Sequence, residues 1–191
     1  MLSAFCSQII LASASPARRA LLEEAGLQVE VIPTEIDERS SEQDPAALVV
    51  ELALRKLHAF LADNAQTDLP VLTCDTTIFF AETLIGKSSC RQEAQEQLAA
   101  FSGSAHQVYS GWALSYKGQI ISDFDLTTVH FHHLSEETIE DYLATGEWQG
   151  AAGSYRIQGA GAALIASIEG DESCVIGIPM DQLARRLATL C

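Results

Sequence analysis

The chain has 191 residues, 48% of them hydrophobic, which is enough for a sizeable α/β core and too apolar for a disordered chain. Its 26 acidic residues against 11 basic ones give a formal charge of −15, which excludes non-specific attraction to nucleic acid or to an anionic membrane. Any polyanion must be bound in one local pocket built from scarce cations. The lysines are Lys56, Lys87 and Lys117, and the arginines include the adjacent pairs Arg18-Arg19 and Arg185-Arg186.

In chain order, Gln8 to Ala12 reads as a strand running into Ser13-Ala14-Ser15-Pro16, and Ser15 to Ala25 as a helix stopped by Gly26. Gln28 to Pro33 alternates as a second strand. An acidic loop through Glu35-Ile36-Asp37-Glu38-Arg39 leads to Asp44-Pro45, where a long helix opens and runs from Ala46 to about Ala62. Val71 to Cys74 is a short buried strand, and Thr77 to Phe80 pairs with the segment after the Ala81-Glu82 turn. Arg91 to Phe101 is an amphipathic helix closed by Ser102-Gly103. Gln107 to Tyr116 and Ile120 to Leu134 form two long strands around the Lys117-Gly118 turn. Ser135-Glu136-Glu137-Thr138 caps a helix ending at Gly146. Strands follow at Tyr155 to Gln158 and Ala163 to Ile168, then a Gly170-Asp171 turn and a helix after Pro179. The alternation predicts an α/β fold with a mixed twisted sheet flanked by helices.

The five cysteines, Cys6, Cys74, Cys90, Cys174 and Cys191, form no CxxC and cannot all pair within one chain, a pattern suited to a reducing compartment. The N-terminal apolar stretch lacks a cationic leading segment, and cleavage there would remove the first strand, so a cytoplasmic protein is expected. No apolar run reaches the length of a membrane span.

Two places carry chemistry. At Ser13-Ala14-Ser15-Pro16-Ala17-Arg18-Arg19, Ser15 can cap a helix and Pro16 suits its first position, so the following amides form an anion site that Arg18 and Arg19 can strengthen. An ordinary capped surface helix fits the same residues. At Thr73-Cys74-Asp75-Thr76-Thr77, one carboxylate sits at the end of a buried strand, where it can bind a metal, act as a base, or cap a turn. No aspartate follows two residues later, which rules out a haloacid-dehalogenase site. Gly86-Lys87-Ser88 resembles the end of a phosphate-binding loop, but Ala81 replaces the glycine that a Walker A loop requires. Lys87 after a glycine is placed to meet a phosphate or to pair with a carboxylate, although taken singly it reads as a surface lysine, and Lys56, beside Arg55 on its helix, reads as a solvated one. Gln158, in the Gly153-to-Gly159 segment, carries an amide able to read a nucleobase edge.

Together these residues form an ordered set: Leu-Ala-Ser-Ala-Ser-Pro-x-Arg, Ile36-Asp37-Glu38, Arg55-Lys56, Asp75-Thr76, Gly86-Lys87, Leu98-x-x-Phe-Ser-Gly-x-x-His106, Gly146-Glu147, Ala152-Gly153-Ser154-Tyr155-x-Ile157-Gln158-Gly159, and Ile168-x-Gly170-Asp171 through Val175-x-Gly177-x-Pro179. The set resembles the Maf (septum-formation-like) nucleotide pyrophosphatases over nearly the whole chain. That resemblance implies a single domain over residues 1–191 with an inosine-triphosphatase-like fold and two lobes around a cleft. It implies a Mg²⁺-dependent (or Mn²⁺-dependent) split of a nucleoside triphosphate into monophosphate and pyrophosphate, and homodimers.

Carried over by position, the resemblance implies that Asp75 corresponds to the catalytic base and Glu38 to an acidic partner for metal or water, with either carboxylate able to orient the water and both candidate metal ligands; Ser13, Arg18, Lys56 and Lys87 would hold phosphates. Ala17, Thr76 and Gln158 help choose the base. Thr76 and Gln158 match the branch acting on dTTP and UTP. The 7-methyl-GTP branch has an aromatic at the position of Ala17, Gln at Thr76 and Glu at Gln158, and Ala17 matches neither pattern. A 7-methyl-GTP pyrophosphatase, or a nucleotide-binding cell-division regulator without catalysis, are the alternatives. Ala151-Ala152-Gly153 and Gly86-Lys87-Ser88 depart from the family's frequent Lys-Ala-Gly and Gly-Lys-Pro.

Overall fold

A computed structural model describes residues 5–64 and 67–188. The elements run β1 (Gln8–Leu11), α1 (Pro16–Glu24), β2 (Gln28–Val31), α2 (Pro45–Asp63), β3 (Val71–Phe80), β4 (Thr83–Ile85), α3 (Arg91–Phe101), β5 (Ala105–Tyr116), β6 (Gln119–Phe131), α4 (Glu136–Ala144), β7 (Ile165–Glu169), α5 (Glu172–Ile176) and α6 (Met180–Ala188). All seven strands join one mixed sheet, ordered β2-β1-β3-β5-β6-β7, with β4 also pairing β3. β1 is parallel to β2 and β3; the remaining pairs are antiparallel. Among the described residues no helix is long and apolar enough to cross a membrane.

Strand alternation divides the core. Ile9, Leu11, Leu72, Cys74, Trp112 and Leu114 face α1 and α6, where Leu22, Leu183 and Leu187 meet them. Ile10, Val71 and Ala113 face the other way, toward Ala53, Leu57 and Phe60 of α2. α3 and α4 cover the far half of the sheet through Leu98, Phe101, Ile139 and Leu143 against Ile78, Val108, Val129 and Phe131. The helix starts are those the sequence signals. Ser15 Oγ accepts from Arg18 N, Asp44 Oδ1 from Ala46 N and Ala47 N, and Ser135 Oγ from Thr138 N.

Three expectations are corrected. Val71 to Cys74 and Thr77 to Phe80 are one strand, because β5 pairs β3 without a break from Val71 to Phe79 and carries the polar Asp75-Thr76 pair through the sheet. Asp75 therefore lies inside a strand, not at its end. Tyr155 to Gln158 is not a strand: Gly153 and Ser154 both have positive φ (66° and 61°), which turns the chain, and the Arg156 guanidinium then bonds the carbonyls of Glu147 and Gln149. The stretch expected as a strand from Ala163 begins instead as a 3₁₀ turn, Ala160–Leu164, with the strand shifted to Ile165–Glu169. Short helix α5, capped by Asp171 and ended by left-handed Gly177, has no counterpart in the sequence reading. Cys6, Cys74, Cys90 and Cys174 are free thiols; Cys191 lies outside the described residues.

His106 is 2% exposed, stacks on Phe101 with ring centroids 4.3 Å apart, and places Nε2 2.8 Å from Tyr155 Oη. Nδ1 has no partner among the described residues. Burial, with a smaller contribution from His130, pushes the imidazole down to about 4. Because the unfolded chain takes up that proton near pH 6.5 and the folded chain only near 4, the neutral ring's contribution is complete above pH 6.5 and is lost as pH falls toward 4. At about 1.4 kcal/mol per pH unit, wild type should lose about 2 kcal/mol more than a His106→Phe variant between pH 6.5 and 5. Urea denaturation at the two pH values checks this; parallel losses in both proteins would contradict it.

Candidate active site

The site lies at a gap in the sheet. β1 pairs β3 only at Ile10–Val71 and Leu11–Leu72, and β4 takes up the same β3 edge only from Ile78. Between them, residues 73–77 of β3 pair on that side with no strand of the described residues, and a cavity of about 660 Å³ opens there. Its lining includes Ser13, Ala17, Arg18, Glu38, Lys56, Asp75, Thr76, Lys87 and Gln158, which brings these candidates to one cavity, whereas Arg19, expected to strengthen the anion site, turns away and pairs with Glu23 at 2.8 Å. The crevice lies beyond the carboxyl end of β1, the usual place for ligands in such sheets.

Successive residues of β3 point to opposite faces, which separates the two halves of the Asp75-Thr76 pair. Thr73 and Asp75 face α2. Thr73 Oγ1 donates to Ala53 O at 2.7 Å, and one helical turn further along α2 the Lys56 ammonium meets Asp75 Oδ1 at 2.6 Å. Lys56 also pairs with Glu38 Oε1 at 2.7 Å, so a single cation joins two carboxylates. The side chains of Lys56 and Asp75 are 11% and 12% exposed, whereas Glu38 is 48% exposed at the rim. Lys56 is thus not the solvated helix lysine that its position alone suggests, because α2 lies hard against the sheet: a Cβ on Gly111 of β5 would stand 2.5 Å from the backbone of Val49. Partial burial works to raise Glu38, but the hydrogen bond and charge of Lys56, helped by Lys87 and Arg18, outweigh it and hold the carboxyl below its ordinary range.

Thr76 faces α1. The Arg18 guanidinium donates to Thr76 Oγ1 (2.9 Å), Ser13 Oγ (3.3 Å), the edge carbonyl of Cys74 (3.0 Å) and Gly177 O (3.1 Å). Four of its five N–H donors are therefore used inside the protein, and among the described residues one has no partner. Thr76 also lies 2.8 Å from Ser110 Oγ, which donates to Cys174 O at 2.7 Å. In the first turn of α1, Pro16 has no N–H and that of Arg18 is taken by Ser15, which leaves the Ala17 amide without a partner among the described residues. Lys87 is exposed and has no ion-pair partner among the described residues. It is held in place by an antiparallel bridge to Ala152 and by the bond from Gly153 N to Gly86 O. Gln158 is exposed at the cavity.

Sequence reasoning missed two supports. A Cβ on Gly177 would stand 2.8 Å from Arg18 Nε and 3.1 Å from Thr76 Oγ1, at a φ of +118°, so only glycine admits the Arg18 clamp. Ser110 carries the hydroxyl that fixes Thr76. A motif glycine followed by Pro179 is the available signal for the first; nothing local marks the second.

A metal ion would find hard oxygen donors on Asp75 and Glu38, which converge on one ammonium. Among the described residues there is no group of three or more His, Cys, Asp or Glu placed to hold an ion.

The family model described as Maf-like protein matches residues 8–190, and the chain belongs to that family. It is 40% identical over 181 residues to a dTTP/UTP pyrophosphatase of Bacillus anthracis, covering 94% of each chain. A dTTP/UTP pyrophosphatase of Bacillus cereus (strain ATCC 10987 / NRS 248) is 39% identical over 94% of this chain and 88% of its own. A crystal structure of a nucleoside-triphosphatase / dITP/XTP pyrophosphatase from Mycobacterium abscessus matches over 96% of each chain at 11% identity and a TM-score of 0.43.

Because Arg18 ties α1 to β3 and to the end of α5, Arg18→Lys should destabilise the fold although it keeps the charge. Losing part of a charged hydrogen-bond set costs about 2 kcal/mol, or about 4–8 °C in Tm for a chain of this size. Thermal denaturation followed by circular dichroism measures it. An unchanged midpoint would show that the clamp carries no stability.

Proposed function

We propose that this Maf-family chain hydrolyses dTTP and UTP to the monophosphate and pyrophosphate. The observation that carries the reading is the Asp75–Lys56–Glu38 ion triad set in a cavity also lined by Arg18 and Lys87. A triphosphate needs cations and amides along its length, and attack at one phosphorus needs a positioned carboxylate. The names of the Bacillus relatives support the same activity and the same bases.

In this reading the Ala17 amide, Ser13, Lys87 and the last N–H of Arg18 hold the phosphate chain. Asp75 Oδ1 is fixed by Lys56, while Oδ2 makes no hydrogen bond among the described residues and is the atom that takes a proton from water attacking the α-phosphorus. Glu38, at the rim, keeps its negative charge and holds Lys56 from the other side. A Mg²⁺ ion on the two carboxylates and the phosphates would supply charge neutralisation. Water attack on the α-phosphorus releases pyrophosphate as the leaving group, and the proton passes to Asp75.

Base choice falls to Gln158 and Thr76. The Gln158 amide both donates and accepts, as a uracil or thymine edge demands, whereas a carboxylate there would only accept. Ala17 leaves room beside α1, which broadens the choice. The free thiols fit a reducing, cytoplasmic setting.

The test is pyrophosphate release with Mg²⁺ over dTTP, UTP, CTP, GTP and 7-methyl-GTP, with wild type and Asp75→Asn. Wild type should favour dTTP and UTP in kcat/KM, and Asp75→Asn should lower turnover about 10²–10⁴-fold while the chain stays folded. Preference for 7-methyl-GTP, or near-normal turnover by folded Asp75→Asn, would overturn the reading.

A further inference from the structure

Glu38 lies on a segment, 32–44, that belongs to no helix or strand. Among the described residues no backbone–backbone hydrogen bond is made from residue 33 through 43. A carboxylate on such a segment has no ladder to fix it, yet Glu38 Oε1 sits 2.7 Å from Lys56 Nζ. Side chains of α2 do the fixing. Arg55, the residue before Lys56, donates from Nη1 to Arg39 O at 3.1 Å and from Nη2 to Asp37 O in a close hydrogen bond. Those carbonyls belong to the residues immediately before and after Glu38. One helical turn back, Glu51 receives Arg55 Nη1 on Oε1 at 3.4 Å and the Ser40 hydroxyl on Oε2 at 3.0 Å. The helix therefore grips the segment at residues 37, 39 and 40.

We propose that Arg55 is the positioning residue for Glu38: its guanidinium spans the two flanking carbonyls and aims the carboxylate at Lys56. This rests on the role given to Glu38 in the proposed function. The effect is geometric. Arg55 does not line the cavity, so it has no direct part in holding phosphate. A partly exposed Arg55–Glu51 pair contributes little by itself, but a planar fork with donors in fixed directions orients backbone in a way that a single ammonium cannot. α2 thus supplies the cation of the triad at Lys56 and, one residue earlier, the device that brings the second carboxylate to it.

The test is a double-mutant cycle on dTTP hydrolysis with saturating Mg²⁺, using Arg55→Ala, Arg55→Lys, Glu38→Gln and both Arg55 changes in the Glu38→Gln background, each checked by thermal melting. Displacing a reacting group's partner by an ångström can cost up to 10²-fold, so both Arg55 variants should lower kcat/KM about tenfold in the wild-type background. In the Glu38→Gln background they should change it less than about twofold, because the residue through which they act is gone. Equal losses in both backgrounds, full activity of Arg55→Ala, or full rescue by Arg55→Lys would each overturn the proposal while leaving the Glu38 role intact. Full activity of Glu38→Gln would overturn that role and this proposal together.

Discussion

One ammonium holds the site together. Lys56 stands between Asp75 and Glu38, two carboxylates contributed by a central strand and by an irregular loop, at 2.6 Å and 2.7 Å. Without it, two negative charges would face each other in a chain that is already strongly acidic. Like charges at that range repel, and the rest of the local structure can be understood as keeping the ammonium in place. Thr73 fastens β3 to the Ala53 carbonyl of α2, and Gly111 lets the helix backbone approach β5 closely. The strand's two-residue repeat and the helix's turn then bring Asp75 and Lys56 opposite one another.

The second constraint is the short length of β1. Had it continued along β3, the edge at residues 73–77 would be covered and no cavity would exist. An open strand edge leaves carbonyls without partners, and one of them, on Cys74, is taken by Arg18. The same guanidinium fixes Thr76 and Ser13, so the arginine that looks like a phosphate ligand chiefly ties α1, β3 and the end of α5 into one wall. Lys87, Lys56 and Arg156 line the same cavity, Lys56 engaged by two carboxylates and Arg156 by the carbonyls of Glu147 and Gln149.

Much of this was legible in the sequence. The Ser15-Pro16 and Asp44-Pro45 starts, the long hairpin around Lys117-Gly118 and the α/β alternation are set by local caps, turns and periodicity, and the ordered motifs name residues that the fold brings to one cavity. What failed was non-local. That Asp75 sits inside a strand depends on β5 pairing across it, about 40 residues away. That Lys56 is sheltered depends on the approach of α2 to Gly111, and that Arg18 is consumed depends on Gly177, near the other end of the chain. The Tyr155–Gln158 segment shows the converse error: short apolar and polar alternation imitates a strand, while Gly153 and Ser154, in left-handed conformation, decide otherwise.

That Lys56 holds the Glu38 carboxylate in its charged form at the junction of the two acids is tested most directly by a ¹³C NMR titration of the Glu38 side-chain carboxyl in wild type and in Lys56→Met. With Lys56 present, its hydrogen bond and charge should hold Glu38 below the ordinary glutamate range despite partial burial. With Lys56 gone, burial and the neighbouring Asp75 should carry the midpoint to or above that range. An equally low midpoint in the folded Lys56→Met protein would contradict the account.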